Sequence, residues 1–253
     1  MTLIPQSICA LCKQERDLKL SHISPAFAIR WLKQSSATEY VRNPLNPNLP
    51  FQDAKKIRLL CGDCEQLFSN VEKIFAEKIF IPYHEQGIRT FRYDTWLQRF
   101  AISLVWRAIA KKHGGGFEDR PTLATNVKAA ADCWAAFLLG RSKDPGPYDH
   151  HLIFWDPTTM AMTGETSGLP DHLMWYVLRA IDATTIMSDK TDVLYGYSKL
   201  PQMFFFSGIN PKRPDGLQGT IIKKKERSGS IKSLGTSILS NSFRQGCENI
   251  ERL

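Results

Sequence analysis

Four cysteines stand in two Cys-x-x-Cys pairs, Cys9-Ala10-Leu11-Cys12 and Cys61-Gly62-Asp63-Cys64. A tight turn around each pair points two thiolates at one ion. Four thiolates meet the tetrahedral preference of Zn²⁺, with Zn–S bonds of about 2.3 Å. Only Cys133 and Cys247 stand outside the pairs, so the pairing is not a by-product of a cysteine-rich chain. Between the pairs runs Leu18-Lys19-Leu20-Ser21-His22-Ile23-Ser24-Pro25, which carries one histidine.

The order is a Cys-x-x-Cys turn, a strand ending in His-Ile-x-Pro, an insert, and Leu59-Leu60 leading into the second pair. This resembles the zinc-stabilised ββα-metal nucleases of the HNH family, and also the non-catalytic treble-clef fingers related to them. The likeness covers about residues 7–80. It implies that Cys9, Cys12, Cys61 and Cys64 bind a structural Zn²⁺. It further implies that His22 is the general base, activating a water against a phosphodiester beside a catalytic divalent ion. Two positions depart from the family pattern. Ser21 stands where a carboxylate ligand usually precedes the histidine, and Glu65 stands where a histidine usually follows the last cysteine. A carboxylate suits Mg²⁺ or Mn²⁺ better than imidazole does, so Glu65 can take that ligand's place. Asp53, Asn43, Asn46 and Asn48 in the insert are candidates for the remaining oxygen ligand. The alternative role for His22 is structural, hydrogen-bonded across a hairpin.

The chain of 253 residues is long enough for a substantial core, and 43% apolar content excludes a disordered tail. A formal net charge of +8 favours an anionic partner such as DNA. No apolar run of eighteen residues appears, so no membrane span is expected. The first residues, Met1 to Gln6, lack the pattern of a secretory leader. Thiols arranged as metal ligands fit a reducing cytoplasm.

Positioning the candidate residues requires a knuckle and hairpin over 8–24, then a short helix from Ala26 to Gln34. The Pro- and Asn-rich stretch 42–50 reads as a loop. Leu67, Phe68, Val71, Ile74, Phe75 and Ile79 predict an amphipathic helix opening at Glu65 and ended by Pro82. A core helix follows from Asp94 to His113, with Arg99, Arg107, Lys111 and Lys112 off its apolar stripe, on a solvated face or, alternatively, against phosphates. Another helix is expected over Thr122–Leu139, and a buried strand over His151–Trp155. Pro170-Asp171 should cap a helix running through Ile186. Strands are expected over 193–197, 202–207 and 220–224, then a polar tail with a short helix over 243–252. His150 and His151, being adjacent on a strand, point to opposite faces and do not converge on one ion.

The expected fold is therefore α+β: a ββα-metal zinc module over residues 1–90, then a mixed helical and sheet region over 91–253. The expected function is a divalent-metal-dependent HNH-like DNA endonuclease, with His22, Glu65 and Asp53 catalytic and Mg²⁺ or Mn²⁺ as the catalytic ion. The resemblance also implies a bacterial restriction or anti-phage setting, with a partner such as a defence-system ATPase. The alternative is a catalytically silent zinc module that binds nucleic acid or a partner protein.

Overall fold

The structure, a computed structural model, describes residues 7–38, 40–43, 46–51, 56–111, 120–155, 173–188, 193–209, 220–223 and 229–232. The fold is α+β, as the sequence pattern predicts. Strands β1 (Ser7–Ile8) and β2 (Glu15–Arg16) form the knuckle hairpin. Strand β3 (Leu18–His22) pairs antiparallel with β6 (Lys56–Cys61), placing Leu18 opposite Cys61 and His22 opposite Lys56. Helix α1 (Ala26–Gln34) leaves β3 through Pro25, and α2 (Gly62–Phe75) starts directly from Cys61.

Two expectations about this half are corrected. The stretch 42–50 is not a loop: β4 (Val41–Asn43) and β5 (Asn46–Phe51) form a two-stranded ribbon between β3 and β6. A lone ribbon has an open outer edge, so prolines within it need not break a ladder bond. Nor does Pro82 end the helix. After α2 the backbone widens into a π-turn at Ala76–Phe80 and continues as α3 (Ile81–Glu85), with Pro82 in the first turn of α3. The wider π-turn, in which Ile81 N still reaches Ala76 O, lets the helix pass a proline that has no N–H to give.

Helix α4 (Thr95–Ala110) is the centre of the molecule, and all of it except Thr95, Arg99 and Ala110 is buried. The Asp94 carboxylate caps it, accepting from Trp96 N at 3.0 Å. Helix α2 packs on one side of it and α5 (Pro121–Leu138) on another. The third side meets a four-stranded antiparallel sheet in the order β8 (His150–Phe154), β11 (Met203–Gly208), β10 (Val193–Leu200), β9 (Asp182–Ser188). One apolar core runs without interruption from the knuckle through α2 and α4 to the sheet. Phe75 of α2 stacks on Phe100 of α4 at 3.9 Å, and both rings lie edge-on to Phe205 of β11.

This enclosure overturns the expected solvated face on α4. Arg107 is 2% exposed, and the Arg99 guanidinium lies 5.3 Å from the Phe137 ring centre. Lys111 donates to the Ala183 carbonyl, while Lys112 lies outside the described residues. A helix covered on three sides has no wide polar face, so its cations must find partners within the protein.

The helix expected through Ile186 is also corrected. Helix α6 (Leu173–Arg179) stops early, and Asp182–Ser188 pair residue for residue with β10 as β9. Thr184, Thr185 and Ile186 are β-branched and favour the strand. Buried Lys199 of β10 closes the end of α6 by donating to the carbonyls of Val177 and Ala180 at 2.9 and 2.7 Å. Burial draws its amine down to about 7, and Asp182 acts in the opposite direction. Strand β7 (Thr90–Tyr93) pairs with β12 (Gly229–Lys232), so residues beyond Ser228 return to the middle of the chain. Cys247 and the helix expected over 243–252 lie outside the described residues.

Candidate metal centre and its surroundings

The two cysteine pairs come from different local structures that converge at one corner. In the knuckle, Cys9 N donates to Gln14 O at 2.9 Å and Lys13 N to Cys9 O at 2.9 Å. Lys13 adopts a left-handed conformation, φ 62°, which turns the chain back into β2. The second pair spans the end of β6 and the first turn of α2. There Cys61 N donates to Cys9 Sγ at 3.3 Å. Outside, Arg16 and Asp63 form an ion pair at 2.6 Å across the two turns.

The ligand sulfurs of Cys9, Cys12, Cys61 and Cys64 all lie within 4.8 Å of one another. A tetrahedron with arms of about 2.3 Å has sulfur–sulfur edges of about 3.8 Å, and Cys12 Sγ lies 3.9 Å from Cys61 Sγ. Cys9, Cys61 and Cys64 are buried, and Cys12 is half-buried. The residues therefore fit an ion such as Zn²⁺. Burial raises the Cys9 thiol, but main-chain N–H groups of Cys12, Cys61 and Leu11 outweigh it and bring it down to about 7. Burial pushes the Cys12 and Cys64 thiols up. Binding a cation would displace protons from such a set.

The other candidates lie on separate elements, and the register sets His22 opposite Lys56, at the end of β3 away from Leu18 and Cys61. His22 is half-buried at the end of β3, followed by the buried Ile23, Ser24 and Pro25. Its carbonyl accepts from Arg107 Nη1 at 2.9 Å. Ser21 is fully buried, and its hydroxyl accepts from Leu60 N at 3.3 Å beside the bulge between Lys19 and Leu20. Glu65 follows Cys64 in the first turn of α2, where the helix dipole favours a carboxylate. Its Oε1 is buried with no hydrogen-bond partner. Asp53 lies outside the described residues. Asn43, Asn46 and Asn48 fall on β4 and β5, where only the backbone is described.

Two residues that bear on the site were missed. Buried Arg107 forms an ion pair with half-buried Glu72 beside the His22 main chain. The sequence carries no signal for Arg107: Arg99, Ser103 and Lys111 share its helical face at four-residue spacing and read as a polar stripe. His150 and His151, by contrast, behave as expected. Their Nδ1 atoms share hydrogen bonds with Ser207 Oγ at 2.7 Å and Thr220 Oγ1 at 2.9 Å, so each is held at its own face of β8. Among the described residues, the four cysteines are the one cluster of metal-ligating side chains. No protein-family model matches the chain, and neither a curated protein nor a solved structure is significantly similar to it.

Proposed function

We propose that the protein is a divalent-metal-dependent DNA endonuclease of HNH-like type, with its chemistry in the N-terminal module. The observation that carries this reading is the Glu65 carboxylate. It sits directly after the cysteine cage with one oxygen buried and without a donor. Such an oxygen costs about 1–3 kcal/mol unless a partner satisfies it, and a hard cation such as Mg²⁺ or Mn²⁺ is a suitable partner. His22, on the strand that shares the cage's corner, would accept the proton of the attacking water. A divalent ion bound at Glu65 would supply charge stabilisation for the phosphodiester. Asp53 is a candidate auxiliary ligand, and Zn²⁺ in the four thiolates would hold strand and helix together. The net charge of +8 suits a DNA substrate. The resemblance further suggests a role in bacterial restriction or anti-phage defence beside a partner ATPase.

One observation favours a second reading, a silent zinc module that binds nucleic acid or protein. The position that carries a carboxylate in the family is Ser21, and its hydroxyl is already engaged by Leu60 N.

Plasmid nicking with Mg²⁺ and Mn²⁺ separates the two. The wild-type protein should cut, and His22→Ala and Glu65→Ala should each lose about 10²–10⁴-fold in rate while keeping zinc and melting temperature. Equal cutting by wild type and His22→Ala would overturn the catalytic assignment. No cutting by the wild type would leave the silent module.

A further inference from the structure

We infer that Arg107 is a positioning residue for His22, so that α4, outside the zinc module, is part of the machinery. The inference rests on the reading of His22 as general base. The Arg107 side chain leaves α4 toward the zinc module and is almost wholly removed from solvent. Nη1 donates to the His22 carbonyl at 2.9 Å, Nη2 donates to Glu72 Oε1 on α2, and Nε donates to Ser103 O at 3.3 Å. The guanidinium carbon lies 5.2 Å from the centre of the Phe68 ring. One planar group thus ties the strand carrying His22, the helix carrying Glu65 and the central helix.

The main-chain contact gives this arrangement its consequence for chemistry. Fixing the His22 carbonyl fixes the peptide plane between His22 and Ile23, and with it the direction in which the imidazole leaves the backbone. On the N-terminal side the pairing of β3 with β6 holds the chain, and on the C-terminal side Ile23, Ser24 and Pro25 are buried. Arg107 adds a hold on the carbonyl of the residue itself. Stability alone is a poor reason for such a group, because apolar residues of similar volume often serve a core as well as a buried ion pair does. A directed fork of donors is something that neither an apolar side chain nor lysine can copy.

The test uses Arg107→Lys and Arg107→Met in the full chain, beside wild type and His22→Ala. Zinc content and melting temperature establish that each variant folds. In nicking assays kcat should fall about 10–100-fold with KM unchanged, the scale of loss that a misplaced catalytic group brings. Histidine labelled with ¹³C in the ring gives a readout independent of activity. The chain has six histidines, and His22→Ala identifies the His22 signal. In the Arg107 variants that signal should shift or broaden while the His84, His150 and His151 signals hold. An unchanged His22 signal, or unchanged kcat in a cutting enzyme, would overturn the inference. Loss of fold in both variants would also overturn it, because Arg107 would then be a structural residue. If the wild type does not cut, the nuclease reading falls by itself, and the ring signals still decide whether Arg107 positions His22.

Discussion

Val105 of α4 lies directly over the bare Cα of Gly196 in β10: a Cβ at position 196 would meet Val105 Cγ1 at 2.2 Å. The helix rests on the sheet at that point because glycine has no side chain. Gly196→Ala should destabilise the protein by about 1–3 kcal/mol through overpacking. Urea unfolding measures the loss. The double variant with Val105→Ala should be more stable than the two single losses added together, because the clashing methyl is gone.

Cys61 contributes a ligand sulfur and also begins α2. A structural zinc site couples metal binding to folding by on the order of 10 kcal/mol. Cys61→Ser should therefore lose its zinc and aggregate, and a strong chelator should do the same to wild type. Elemental analysis of the purified protein checks this. A wild type free of zinc would remove the basis of the metal centre.

DNA binding, if it serves the proposed cleavage, should depend steeply on salt. Lysine and arginine contacts release counterions from the phosphates. Gel shifts should weaken by more than about tenfold between roughly 50 and 200 mM salt. Failure to bind at the lower salt would turn the functional reading toward a protein partner.

His84 of α3 is enclosed by Trp31 and Phe80, with ring centres 4.3 and 4.5 Å away. Burial lowers its pKa to about 4, a hydrogen bond to the Pro201 carbonyl opposes this, and Arg89, Arg179 and Lys199 reinforce it. An unfolded histidine titrates near 6.5. Between pH 6.5 and 4 the unfolded chain therefore binds a proton that the folded protein refuses. Stability should fall by about 3 kcal/mol from this residue as the pH drops through that window, and recover as it rises. In His84→Gln this part of the pH dependence should vanish. Chemical denaturation at pH 4.5, 5.5 and 7 measures it.

What the sequence discloses depends on whether a residue's role is set by its neighbours in the chain. The cysteine cage was legible because each ligand pair is local and the ligand type is unambiguous. Helix α1 was legible to the residue, and the opposed directions of His150 and His151 followed from strand geometry alone. The ribbon of β4 and β5 was hidden because its prolines and asparagines are those of a loop. Strand β9 was hidden because helical spacing continued past Arg179 to Ile181, and the short β-branched run Thr184–Ile186 outweighs it only with β10 alongside. Arg107 was misread because a cation off an apolar stripe ordinarily faces water. Its burial depends on α2 arriving from a point 35 residues earlier to offer Glu72.

The pairing of β7 with β12 also sets a clock on synthesis. Tyr93 meets Gly229, so 136 residues are added after the first of these partners before the second exists. At 5–20 residues per second that is roughly 7–27 s. The cage of Cys9, Cys12, Cys61 and Cys64 can fill long before, as soon as its last thiol has left the ribosome. A nascent chain would then carry its metal while β7 still shows an open edge to its neighbours on the same messenger. Phe91 and Tyr93, buried in the finished protein, make that edge attractive to another strand in the interval. Chaperone dependence during translation would thus arise at β7, far from the metal.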